Sequence, residues 1–180
     1  MKRILGIVFG ALFAFSATAF ELTSPDPEVK TGKPMTKVQE FKGFGCNGDN
    51  LSPALEWKNV PPGTLSFAVT VFDYDAPTGS GWWHWVVYDI PASTTSLPAG
   101  AAVLAALPGG AKQGRNDFGS RNFGGACPPV GDRPHHYIFT VHALKVEKLD
   151  VPEDASPALI GFMLHSNRLG LAKLTTTYSR

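Results

Sequence analysis

The run Ser66 to Ile90, SFAVTVFDYDAPTGSGWWHWVVYDI, decides the fold. Seven mostly apolar residues, Ser66 to Phe72, break into Asp73-Tyr74-Asp75-Ala76-Pro77, pass a Gly79-Ser80-Gly81 turn and re-enter as the aromatic run Trp82 to Ile90. The pattern predicts strand, corner, strand, with carboxylates where the first strand ends and His84 near the start of the second. Polar groups lodged between strands this apolar are expensive to bury without partners, so the corner is the expected site.

The rest of the chain reads as further strands around this hairpin. A short strand is expected at 20–23, and Leu55 and Trp57 resume alternation after a Gly/Asn/Asp-rich turn at 45–50. From Pro91 to about Gly110 a bland Ala/Gly/Leu stretch suggests a surface excursion. The segment from Gln113 to Gly131 is rich in glycine, and such backbone can turn several N–H groups inward as an anion-binding nest. Arg115, Asp117 and Arg121 are expected to form an ion pair that pins this loop.

His135 to Lys145 alternates as a strand, with His135, Tyr137, Phe139, Val141 and Ala143 on one face. His136 and His142 fall on the other face, as surface or core histidines. Ser156-Pro157 is a helix start, with Ser as N-cap and Pro at the first helical position. Leu159, Ile160, Met163 and Leu164 then form an apolar stripe, 167–170 ends the helix, and 171–178 is a final strand. Strands dominate, which predicts a mainly β domain of two packed, mainly antiparallel sheets with Greek-key connections and one or two short helices.

The N-terminus has the form of an export signal. Lys2-Arg3 is a basic region, Ile4 to Ala14 an apolar one and Ala17-Thr18-Ala19 a cleavage site, so residues 1–19 are expected to be removed and a single domain, 20–180, to begin at Phe20 in the periplasm. Removing Lys2 and Arg3 turns 16 basic against 15 acidic residues into 14 against 15, and no Lys/Arg cluster offers a nucleic-acid footprint. The mature chain has no stretch long enough to be an integral membrane segment. Cys46 and Cys127 are the only cysteines. In an exported chain an even pair reads as a disulfide, with two buried free thiols as the alternative. Such a bond would close a loop of about 80 residues, worth on the order of 4 kcal/mol from chain entropy.

Asp73 and Asp75 at the corner, His84 on the return strand, and His135 with Tyr137 on the later strand could converge. Two imidazoles and a phenol can each donate a hydrogen bond to an anion, which suits a phosphate-sized group. Asp73 fits such a ring if it holds a histidine in its donor form, or accepts from a protonated phosphate or a headgroup ammonium. Trp82 shares a face with His84 and is the better rim candidate among the tryptophans.

These residues resemble a known family. Asp73-Tyr74-Asp75-Ala76-Pro77, Trp82-Trp83-His84-Trp85, and Cys127-Pro128-Pro129 with Gly131, His135 and Tyr137 are similar to the phosphatidylethanolamine-binding proteins, also called Raf kinase inhibitor proteins. The strings 46–53 and 114–119 resemble its bacterial YbhB/YbcL branch, and the signal segment resembles the exported YbcL type. The resemblance implies a β-sandwich with a small surface pocket for phosphate, acetate or a phospholipid headgroup, without catalysis and without a cofactor. The pocket it implies comprises Asp73, His84, Pro129, His135 and Tyr137 with the backbone at Cys127, while Asp75, Pro77, Trp82 and Gly131 shape the site. Tyr74 departs from the family, which usually has proline there, and should alter the rim. The chain stops two residues after Tyr178, where vertebrate members continue into a helix, so kinase regulation is not carried over.

Three other readings stand beside this one. Asp73, His84 and His135 have the composition of an open metal site, but no HxD or HExxH spacing fixes two ligands on one element. Gly79-Ser80-Gly81 is a turn and not the G-x-S-x-G elbow of a serine hydrolase. The third is a protein-interaction module, an inhibitor of a protease or kinase or a modulator of host cells, that docks through the pocket; a homodimer is left open.

Overall fold

The computed structural model describes residues 18–102 and 106–180. The basic and apolar regions of the expected signal, and Ala17 of its cleavage site, lie outside the described residues. The strands are β1 (Glu21–Thr23), β2 (Lys42–Gly43), β3 (Cys46–Asn47), β4 (Leu55–Lys58), β5 (Ser66–Asp73), β6 (Trp82–Pro91), β7 (Ser96–Leu97), β8 (Lys112–Gln113), β9 (His135–Leu144) and β10 (Arg168–Tyr178). Helix α1 spans Pro157–Asn167.

An antiparallel five-stranded sheet in the order β10-β9-β5-β6-β8 faces a three-stranded sheet in the order β1-β4-β7, and β2 and β3 pair separately. Alternation sorts the side chains. Val69, Val71, Val87, Phe139 and Val141 leave the large sheet toward Leu22, Leu55 and Trp57 of the small one and form the main core. Ala68, Val86, Tyr88 and Leu144 leave by the opposite face and pack against Ile160 and Leu164 of α1. The result is the expected sandwich, with one helix closing the outer face.

Strands β5, β6 and β8 run as a meander, and β9 returns to lie beside β5, which is a Greek key. The long return, residues 114–134, crosses the end of the sheet where β5 stops. The site lies there.

Several local expectations hold in detail. Ser156 Oγ accepts a bond from the Leu159 amide at 3.2 Å, and Pro157 opens the helix. The last strand starts earlier than expected, at Arg168, because β10 follows α1 directly and continues its pairing with β9 through a bulge at 168–170. The 91–110 stretch is not merely a surface excursion. Leu97, Ala101 and Ala102 are buried in the main core, so these residues cover the edge beside the three-stranded sheet. Among the described residues, no helix is long and apolar enough to cross a membrane.

Candidate functional site

Asp73, the last residue of β5, stands opposite Trp82 on β6 and opposite Tyr137 on β9. Directly opposed residues project to the same face of a sheet, so these three form a row across three strands. His84 joins them through a β-bulge. Pairing steps from Phe72↔Trp83 to Val71↔Trp85 and leaves His84 as the extra residue. Trp85 enters the main core and Trp83 packs toward the helix side, while His84 faces the row. Without the extra residue, alternation would send Trp85 to the helix side.

A cavity of about 170 Å³ opens above this row. All six expected ligand contacts line it: Asp73, His84, Cys127, Pro129, His135 and Tyr137. Of the four residues expected to shape the site, Pro77 and Trp82 line the cavity and Asp75 and Gly131 do not. Gly131 takes a left-handed turn at φ 86° and donates its amide to Arg180 O at 3.1 Å. Sequence reasoning missed Phe44, Phe118 and Thr78, which complete the walls. Phe118 stacks on Phe41 at 4.3 Å and meets the Trp82 and His84 rings edge-on, each at 5.3 Å. The aromatic residues in the turn at 41–45 and in the loop at 118 were the only signal for Phe44 and Phe118, and the polar corner after Pro77 the only one for Thr78.

Asp73 works in two directions. Its Oδ1 accepts the amides of Asp75, at 2.9 Å, and Ala76, at 3.2 Å, which closes the corner as an Asx turn. Its Oδ2 lies 2.7 Å from His135 Nδ1, so the carboxylate holds that imidazole with the proton on Nδ1. His135 Nε2 lies 3.4 Å from Asp132 Oδ2. Gly81, at φ 72°, completes the corner, because a Cβ there would stand 2.3 Å from the Phe72 ring.

Asp75 braces the corner from outside. It accepts the His136 amide at 2.9 Å, the His136 ring at 2.7 Å and Arg133 Nη2 at 2.7 Å. Burial raises its pKa, but these bonds outweigh burial and hold the carboxyl below its ordinary value. Tyr74 stacks on His136 at 5.7 Å, so the residue that departs from the family pattern covers this brace. His142, on the same strand face as His136, is bonded through Nε2 to Thr70 Oγ1 at 3.2 Å.

The glycine-rich loop does not form a nest. The amides of Gly124, Gly125 and Ala126 are taken by His84 O, Asn50 Oδ1 and Gln39 O, at 2.9, 2.7 and 3.0 Å. The loop presents carbonyls instead. His84 donates Nδ1–H to Gly124 O at 2.7 Å, with Gly125 O at 3.2 Å. Burial pulls the His84 pKa below its ordinary value, against the Gly124 carbonyl and the Asp73 charge. His84 is therefore neutral near pH 7 and offers the Nε2 lone pair, so at that pH it is an acceptor and not the donor its residue type suggested. The expected ion pair is also absent among the described residues. Asp117 Oδ2 instead accepts the Trp83 amide at 2.7 Å, and Arg121 donates to Glu153 O at 2.7 Å.

The donors come from elsewhere in the row. Trp82 Nε1 and Tyr137 Oη are both buried without a hydrogen-bond partner. Burial, followed by the Asp73 charge, pushes the Tyr137 hydroxyl far up, so it stays protonated and able to donate. No lysine or arginine lines the cavity among the described residues. The arrangement can thus receive a group with acceptor oxygens for Trp82 and Tyr137 and an acidic proton for His84.

Cys46 and Cys127 are joined as a disulfide across 81 positions, which ties β3 to the cavity wall. Arg180 fixes the same wall by donating to Pro128 O at 2.5 Å and Gly45 O at 3.1 Å. Among the described residues, no three His, Cys, Asp or Glu side chains gather in a metal-ligating arrangement.

Comparison with known proteins agrees with this architecture. A profile of the family described as phosphatidylethanolamine-binding protein matches residues 26–179. The UPF0098 protein YbcL of Escherichia coli K12 is 56% identical over 99% of this chain and 98% of its own length. YbhB of the same organism is 50% identical over 84% of this chain and 96% of its own. The crystal structure of E. coli YbcL, described as a new member of the mammalian PEBP family, superposes with a TM-score of 0.86 over 89% of this chain and 98% of that one. Sequence and fold agree over nearly the whole described length, and this chain belongs to the phosphatidylethanolamine-binding protein family.

Proposed function

We propose that the protein is a periplasmic, non-catalytic binding protein that takes a phosphate-like group, free or as a phospholipid headgroup, in the cavity above Asp73. The observation that carries this reading is the pair of unpartnered buried donors, Trp82 Nε1 and Tyr137 Oη, in the same cavity as the neutral His84. A buried donor left unmade costs about 1–3 kcal/mol, and a ligand oxygen would relieve it. With Asp73 as the carboxylate of the row and no basic side chain in the lining, a singly charged, protonated phosphate or a zwitterionic headgroup suits the site better than a dianion.

Export is supported by the N-terminal pattern, by the Cys46–Cys127 disulfide and by a relative at 32% identity, the Mycobacterium tuberculosis protein named putative lipoprotein LppC. Cell fractionation with periplasmic markers tests the location.

Calorimetric titration of the purified protein with phosphate and phosphoethanolamine tests the site. Trp82→Phe and Tyr137→Phe each remove one donor and should weaken binding roughly 10-fold, at about 1.4 kcal/mol for each factor of ten. Lys58→Gln, on the far sheet, should leave it unchanged. Unchanged affinity in both donor variants would overturn the reading.

A second reading is favoured by one observation. Phe44, Tyr74 and Val130, around the cavity end of the molecule, are exposed large apolar residues. A protein partner docking there would be displaced by phosphate in a pull-down if it reached into the cavity.

A further inference from the structure

We infer that the outer face of the large sheet carries a second ligand site, a cavity at the edge of α1 that takes a small apolar carboxylate.

The cavity, about 250 Å³, lies on the opposite side of the sheet from the first. The two are lined by sequence neighbours pointing opposite ways: Asp73, Trp82 and Tyr137 line one, Phe72, Trp83 and Ile138 the other. Helix α1 covers the outer face at Ala68, Val86 and Leu144 but leaves this part open. Gly161 contributes to the opening, since a Cβ there would stand 3.2 Å from the Trp83 ring. Phe72, Trp83, Ile138, Leu164 and Leu171 supply apolar walls.

Three polar features set the chemistry. Arg168 and Lys173 line the cavity, and among the described residues neither has a carboxylate within salt-bridge distance. His142, also in the lining, is nine-tenths buried, and its Nδ1 has no partner. Among the described residues, no acidic side chain lines the cavity. Arg168 Nη2 reaches only His165 Nδ1, at 3.4 Å. Two cations without a carboxylate partner beside an apolar hollow favour an anion that carries an apolar body, and a carboxylate on a short alkyl chain meets both requirements. Burial, then the charges of Arg168 and Lys173, push His142 down to about 3, so its imidazole is neutral beside those two cations at pH 7. This site does not depend on the reading of the first cavity.

The test is a titration of the full purified protein with octanoate, followed by backbone amide and imidazole NMR shifts. Saturable shifts at Thr140, His142 and Lys173, absent with octylammonium and roughly 10-fold weaker with octanol, are expected. The double variant Arg168→Gln/Lys173→Gln should retain the amide spectrum of the fold and lose roughly 10-fold in octanoate affinity. Lys173→Glu alone, at an exposed position, keeps the test open if the double variant folds poorly, and should weaken binding by at least as much as removing one charge. Shifts confined to Trp82 and Tyr137, no saturable shifts at millimolar octanoate, or affinity indifferent to Lys173→Glu would each overturn the second site.

Discussion

Tyr137 stands directly opposite Asp73 in the antiparallel β5–β9 ladder, though 64 positions separate them in the chain. That register brings His135, two residues earlier on the same strand face, to the Asp73 carboxylate, and it leaves the Tyr137 hydroxyl free beside the cavity. The chemistry of the site depends on this pairing.

Asp73→Asn separates the two tasks of the carboxylate. The amide oxygen can still accept the Asp75 and Ala76 amides, while the charge-assisted bond to His135 is lost. Unfolding in urea should show a loss of about 1–3 kcal/mol, and Asp73→Ala, which also opens the Asx turn, should lose more. Equal stability of wild type and Asp73→Asn would mean that the His135 bond contributes nothing.

Stability should fall with acid in two stages. His84 and His142 are held below their ordinary pKa in the folded state, so the unfolded chain binds more protons once pH drops below about 6.5. The stability they contribute is complete above that pH and is lost as pH falls toward their folded values. With His142 pushed down to about 3, its share between about pH 6.5 and 4.5 is on the order of 3 kcal/mol. Buried Glu40 accepts from the Tyr178 hydroxyl, from Lys37 at 2.9 Å and from the Asn47 amide at 2.8 Å, and these bonds outweigh burial as they do at Asp75. Asp75 and Glu40, held low in this way, add their loss only below about pH 4.5, through the carboxylate range. Chemical denaturation across this range should give a slope in the upper window that His142→Gln reduces. A flat profile from pH 6.5 to 4.5 would contradict the buried neutral histidines.

Gly125 and Gly79 offer a contrast between packing and backbone strain. A Cβ on Gly125 would stand 2.3 Å from Gln39 O and 2.7 Å from the Glu40 carbonyl carbon, both main-chain atoms. Gly79 has φ 78° but nothing within 4 Å. Gly79→Ala should cost about 1–2 kcal/mol of strain, whereas Gly125→Ala should cost more and weaken ligand binding by shifting the Gly124 and Gly125 carbonyls that hold His84. Thermal melts and titrations of the two variants make the comparison.

Much of this was legible in the sequence because it follows a period of two. Alternation in β9 put His135 and Tyr137 on the core-facing side and His136 and His142 opposite, and the structure keeps that division. The Asp73 corner and the Ser156–Pro157 start are local signals and are found where expected. What escaped is non-local. The bulge that turns both His84 and Trp85 to one face depends on pairing with β5. The loop glycines looked like amide donors because composition cannot say which backbone groups are already bonded; Asn50 and Gln39, from distant segments, take those amides. Phe44 and Phe118 reach the cavity only through the fold of two loops. The 91–110 stretch reads as superficial because Ala and Gly carry little periodic signal, yet Leu97, Ala101 and Ala102 fill the core edge.

The most direct measurement is a crystal structure of the purified protein grown with phosphoethanolamine at about pH 6, where roughly half of a phosphomonoester is singly protonated. The phosphate should lie in the cavity above Asp73, within hydrogen-bond reach of Trp82 Nε1 and Tyr137 Oη and with an oxygen against His84 Nε2. A cavity holding only solvent, with both donors turned to other protein groups, would contradict the account.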